Sequence, residues 1–293
     1  TRQRRCFVRK IYTKVTKIAR ERLYQFMKNN QISPLNYHFH HYFDDYVKRH
    51  NILVMEHHFS SLKIEGLTMK DDLGVSISYE KYNPPVKQNF TKCHELGHCV
   101  LGHSGNQLAE IFNINSIDER EANIFSAYIL MPDIVLLSKI YYRLDSFDQV
   151  MTDLTVSSDA LKFRLHDLFR YRLNRYNDDI SKAVNRYQAG QNEEIFSLFD
   201  EIHTEIEDEY RAVEGNPLTC MMKRLEVCGF ITSTDFPELL DNGFRQDLAK
   251  VENISAWLEF DFKQSLGYAW RTDKLTEKQA KLRARRLLLL EKR

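Results

Sequence analysis

Phe7, Ile11, Val15, Ile18 and Phe26 recur at near-helical spacing with basic residues between them, so the chain is expected to open with an amphipathic helix. Asn29, Asn30 and Ser33-Pro34 stop it, and a second helix is read from about Leu35 to His50. The short apolar run Ile52-Leu53-Val54-Met55 reads as a buried strand. Val75-Ser76-Ile77-Ser78-Tyr79 alternates apolar and polar residues, which predicts a strand with one buried face and an edge open to an extended partner. Gly66 and Asp71-Asp72 between them read as turns, and Pro84-Pro85 ends the second strand. From Asn89 the periodicity is helical almost to the end. Leu154-Thr155-Val156-Ser157-Ser158 reads as a helix end, a turn and a new N-cap, followed by the stripe Leu161, Leu165, Leu168 and Phe169. Residues 133–170 thus look like a helix-turn-helix, a pattern that more often closes a helical core than reads DNA.

The expected fold class is therefore α+β and mostly helical: a domain with a small sheet, followed by an all-helical C-terminal domain. The predicted divisions are a basic helix over 1–34, a central domain over 35–176 that includes the unit 133–170, and a helical domain over 177–293 to which no motif assigns a role.

Composition sharpens this picture. With 293 residues, 43% of them hydrophobic and 12% aromatic, the chain can bury a sizeable core in one large or two modest domains. Only 10 Gly and 6 Pro favour helices over a turn-rich sandwich. Five cysteines, an odd number without C-x-x-C spacing, read as free thiols in a reducing cytoplasm. No secretory pattern is recognised at the start, and the longest apolar run noted, Leu287 to Leu290, is too short for a bilayer, so neither export nor a membrane partner is expected. The net charge of +1 hides a segregation, with residues 1–26 at +8, residues 271–293 at +6 and an acidic middle. The basic ends neutralise that middle or, less favourably, touch nucleic acid.

The chemistry lies in His94-Glu95-Leu96-Gly97-His98, an H-E-x-x-H motif. On a helix, positions 94 and 98 sit about 40° apart and one turn apart, so both imidazoles reach one ion, while Glu95 projects about 100° away, placed to hold a water. Catalytic Zn²⁺ takes three protein ligands and keeps a fourth position for water. His103 is one candidate for the third ligand, but it faces away while the helix lasts, unless Gly102 ends the helix and turns the chain back. The other candidates lie in Asp118-Glu119-Arg120-Glu121-Ala122-Asn123. Glu119 shares a small, partly polar face with Asn123, Ser126, Ala127 and Leu130, whereas Glu121 sits with Ile117, Phe125 and Tyr128. Glu119 is therefore preferred, with Asn123 one turn on to hydrogen-bond a ligand histidine. His38, His40, His41, His57 and His58 have no companion carboxylate at ligand spacing and read as ordinary histidines.

The run from Asn89 to His98, followed by Glu119-x-Glu121-Ala122-Asn123 and Ile129-Leu130-Met131-Pro132, resembles the ImmA/IrrE family of metallopeptidases over about residues 35–170. The resemblance implies a zinc-dependent intracellular endopeptidase with a zincin-like fold. Its usual partner would be a helix-turn-helix repressor, whose cleavage relieves transcription of a mobile element or stress regulon. By position, His94, His98 and Glu119 would ligate zinc and Glu95 would be the catalytic acid/base. Tyr79, Tyr82, His103, Tyr128, Arg164 and His166 are candidate donors to an oxyanion. Two rival readings remain: a DNA-binding regulator with structural zinc, and a silent interaction protein that keeps the fold without proteolysis.

Overall fold

The structure, a computed structural model, describes residues 2–58, 65–72, 74–103, 116–175, 178–261 and 264–290. The Cys6 side chain, and Tyr176 at an expected boundary, lie outside the described residues.

The opening helix, α1, spans Arg2–Asn29. It buries Ile11, Val15, Ala19, Leu23 and Met27 at steps of four, while Phe7 stays exposed. The helix α2 (Phe39–Arg49) follows a short 3₁₀ turn and turns Phe39, Tyr42, Phe43 and Tyr46 inward. Three strands come next: β1 (Leu53–His57), β2 (Gly66–Asp71) and β3 (Gly74–Glu80).

Their order is β1-β3-β2, with β1 parallel and β2 antiparallel to β3, so that Ile77 lies opposite both Val54 and Thr68. This corrects two expectations. The strand over 75–79 is central and has no open edge. The residues after Gly66, read as a turn region, form an edge strand. Its Thr68, Lys70 and Asp71 are too polar to give an apolar alternation, and pairing to β3 rather than burial holds it.

Helix α3 (Pro85–Leu101) carries the H-E-x-x-H motif and packs on β2 and β3. Pro84-Pro85 do more than end the strand: Pro85 occupies the first helical position, where its missing N–H costs nothing. Gly102 closes the helix in the left-handed region at φ 72, and its N–H bonds His98 O. Helix α4 (Ile117–Leu130), capped by Ser116 Oγ on Glu119 N, crosses α3. The helices α5 (Asp133–Leu136, widening into a π turn over Leu137–Tyr142), α6 (Phe147–Leu154) and α7 (Ser158–Arg172) follow. Between α6 and α7, Thr155 sits at φ 51 and Ser157 caps Ala160 N, the expected end, turn and new start. Leu161, Leu165, Leu168 and Phe169 are buried as read.

The stretch Ile117–Tyr142 is long and apolar enough to cross a bilayer by length and composition, which corrects the reading of Leu287 to Leu290 as the longest apolar run. However, 78% of its apolar window is buried, and its side chains build the core against which α1 and α7 rest.

The chain forms two compact units, Thr1–Tyr24 with Ser33–Val213, and Gln25–Ile32 with Glu214–Arg293. The expected division at 176 is not where they part. Helices over Asp178–Arg211 belong to the first unit, because Ile180, Val184, Tyr187, Ile195, Phe199 and Ile206 are buried in it. A buried ionic group ties that unit together. Asp133 bonds Arg164 and receives Arg172 Nε at 3.0 Å, while Arg172 reaches Glu209 at 2.6 Å and Arg20 reaches the same carboxylate at 2.8 Å.

The second unit corrects the expectation of an all-helical C-terminal domain. Strands β4 (Phe230–Thr232), β5 (Ile254–Asp261) and β6 (Gln264–Arg271) form a sheet of order β4-β6-β5. Met221, Leu225, Ile231, Leu239 and Ala269 form a core on one side, and Phe230, Tyr268 and Trp270 with Ala280, Ala284 and Leu288 form another. Every residue from Leu266 to Trp270 is buried, so β6 lacks the polar face that would have marked it as a strand.

Candidate metal centre

One turn of α3 places His94 Nε2 and His98 Nε2 at 3.0 Å from each other. Glu119, in the first turn of α4, brings Oε2 to 3.2 Å from His94 Nε2 and Oε1 to 3.4 Å from His98 Nε2. A tetrahedral ion with bonds of about 2.0–2.1 Å spaces its ligand atoms by ~3.3 Å, so these three donors already stand at the separations of one coordination sphere. Two imidazoles and a carboxylate also suit a divalent transition metal better than Ca²⁺ or Mg²⁺, which prefer all-oxygen sets. Hydrogen bonds from His94 and His98 hold the Glu119 carboxyl down to about 2, against a desolvation that would raise it.

The approach of α4 to α3 depends on Gly97. A Cβ there would meet Phe125 Cδ1 at 3.2 Å and Ala122 Cα at 3.3 Å, so glycine is what lets the backbones come this close. Ser126 Oγ reinforces the crossing by donating to Phe90 O at 3.1 Å. Asn123 Oδ1 lies 3.0 Å from His94 Nδ1, on the side of the ring away from the donor cluster.

Glu95 is buried beneath β2. Thr68 Oγ1 donates to Glu95 Oε2 at 2.7 Å, and Gly66 leaves the space that a Cβ, 2.7 Å from Oε1, would take. Burial pushes the Glu95 carboxyl above the usual range, while His94, Thr68 and His98 pull it back. Neither Thr68 nor Gly66 was singled out from sequence, because the strand carrying them read as turn.

His103 does return, as a helix ending at Gly102 allows, but to the outer nitrogen of His98: the two Nδ1 atoms are 3.0 Å apart. It is not in the three-donor cluster. Glu121, the carboxylate passed over for ligation, faces His103 Nε2 at 3.2 Å and Lys14 Nζ at 2.8 Å. Most of the expected oxyanion donors are engaged elsewhere. Tyr79 bonds Glu56, Tyr128 bonds Tyr24, Arg164 bonds Asp133 and His166 bonds Ser181. Arg164 is buried in that pairing, so α7 does not present it to a duplex.

No curated protein matches the chain. Residues 47–166 match the peptidase M78 family, described as the IrrE N-terminal-like domain. The matched segment contains β1 to β3, both histidines of the motif, Glu95, Glu119 and Asn123, and over these residues the chain is similar to the ImmA/IrrE family of peptidase domains.

Proposed function

We propose that this protein is a zinc-dependent endopeptidase in which His94, His98 and Glu119 hold the ion and Glu95 is the acid/base. The observation that carries the reading is the pairing of a three-donor cluster at coordination spacing with a buried glutamate from the same helix. A purely structural site has no use for Glu95. When bound, Zn²⁺ would supply a Lewis acid for the scissile carbonyl and a more acidic water. Glu95 takes the proton of the attacking water and delivers it to the leaving amine, with Thr68 fixing its rotamer.

Among the described residues no strand pairs with the outer side of β2, which ends the sheet directly beside Glu95. An extended polypeptide would add to that edge through main-chain hydrogen bonds, a mode that selects an unfolded or looped segment of a protein substrate. The kind of substrate that the family resemblance favours is a helix-turn-helix transcriptional repressor in the cytoplasm.

The deciding experiment incubates the protein with the repressor encoded nearest its own gene, with and without a chelator, beside Glu95→Gln. Metal-dependent cleavage by the parent protein alone supports the reading. Cleavage that survives both the chelator and the substitution defeats it.

A further inference from the structure

His98 is the more buried of the two histidines, and its outer nitrogen meets a second imidazole. His103 Nδ1 stands 3.0 Å from His98 Nδ1, its Nε2 stands 3.2 Å from Glu121 Oε2, and Glu121 Oε1 receives Lys14 Nζ of α1 at 2.8 Å. The His103 and Glu121 side chains are only 6% and 7% exposed, so water competes little for these bonds.

We infer that His103 and Glu121 are positioning residues, a relay that fixes the orientation and tautomer of His98; the inference rests on His98 being a metal ligand, as proposed above. The proton bookkeeping admits one arrangement. If His98 presents the Nε2 lone pair, its proton is on Nδ1 and is donated to His103 Nδ1. His103 must then carry its own proton on Nε2, which it donates to Glu121 Oε2. Glu121 accepts from His103 on one oxygen and from Lys14 on the other, so the carboxylate cannot rotate away without breaking both. His94 reaches the same end through Asn123, its one such partner among the described residues, whereas His98 is held through three residues drawn from the end of α3, from α4 and from α1.

The same side chains, with Asp118, admit a different reading as a second cation site. The geometry argues against it. Asp118 Oδ1 is 3.9 Å from His103 Nε2 on a side chain that is 45% exposed, and the Lys14 ammonium already occupies the other face of Glu121. A divalent ion there would meet that charge at close range.

Titration of the metal-free full chain with Co²⁺ alone, followed by its visible spectrum and by competition with a chelator, separates these readings. His103→Ala and Glu121→Gln are each expected to weaken Co²⁺ binding about 10–100-fold, the usual cost of removing the partner of a ligating histidine. His103→Asn, which keeps an acceptor for His98, should recover much of that loss, and Asp118→Asn should bind as the parent does. In the parent loaded with Zn²⁺, ring ¹⁵N shifts should place the protons on His98 Nδ1 and His103 Nε2. Thermal melting of each metal-free variant checks that it folds. Unchanged Co²⁺ affinity in a folded His103→Ala overturns the relay, as does a stoichiometry of two ions per chain abolished by Asp118→Asn. Unchanged affinity in His94→Ala and Glu119→Ala overturns the metal centre itself, and the relay with it.

Discussion

The amide oxygen of Asn123 stands 3.0 Å from His94 Nδ1, one helical turn beyond the Glu119 that faces the other nitrogen of the same ring. A single face of α4 therefore sets both what His94 meets and which way its proton points. Asn123→Ala should lower Zn²⁺ affinity about 10–100-fold, and Asn123→Asp, which keeps the acceptor, far less. Competition against a chromophoric chelator measures both; equal losses would remove the orienting role.

Glu95→Gln should retain the metal and lose about 10²–10⁴-fold in cleavage rate, the range for a general acid/base. Single-turnover kinetics on a fluorogenic peptide from the substrate, with metal content measured in parallel, distinguishes this from loss of the ion.

Glu119→Ala should strip the metal during dialysis, whereas Glu121→Ala should weaken it without abolishing binding. Metal analysis after dialysis gives the ranking, and the reverse order would exchange the two carboxylates' roles.

Gly97→Ala separates stability from function. The added methyl gains up to about 1 kcal/mol of helix propensity, yet it must push against Ala122 Cα at 3.3 Å and so open the spacing between α3 and α4. The melting temperature should move little while metal affinity falls. Gly66→Ala is harsher, since its Cβ would stand 2.4 Å from Thr91 Cγ2 and 2.7 Å from Glu95 Oε1.

Asp133 gives a pH signature. Burial would raise its carboxyl, but Arg172 and Arg164 hold it from 3.8 down to about 2. A depressed carboxylate stabilises the fold fully above its unfolded value and loses that contribution as pH falls from about 4 towards 2, a difference of about 2 kcal/mol. Asp133→Ala should cost about 3–5 kcal/mol at neutral pH, because it leaves Arg164 buried without its carboxylate. Urea titrations across this pH range test both, and Arg164→Met in the same background should recover part of the loss.

Much of the site was legible because helical geometry is rigid. The four-residue spacing of His94 and His98 and the shared face of Glu119 and Asn123 follow from about 100° per residue alone. The turn at Thr155 and Ser157 was equally local, a positive-φ residue followed by a side-chain cap. The grip on Glu95 was not legible, since Thr68 is 27 positions away on a strand defined by pairing rather than by its own pattern. The second sheet was hidden for a related reason. Glu259, which looks like a helix-surface charge, is buried on β5 against Arg285 at 2.8 Å. Likewise, Gly267 marks a backbone approach to Leu239 O that no local pattern announces.

The left-handed residue at Gly102 acts as a ruler. It converts the step from His98 to His103 from an offset of about 140° round a continuing helix into a fold-back, and it does so only at that count of residues. Lengthening the segment between them by one alanine would continue the spiral and carry the second imidazole off to the side. Replacing the glycine by a β-branched residue would strain the reversal itself. The reach of the N-terminal helix into the chemistry therefore hangs on one backbone angle, and sequences that keep the paired histidines but alter this interval should tether the inner one by some other means.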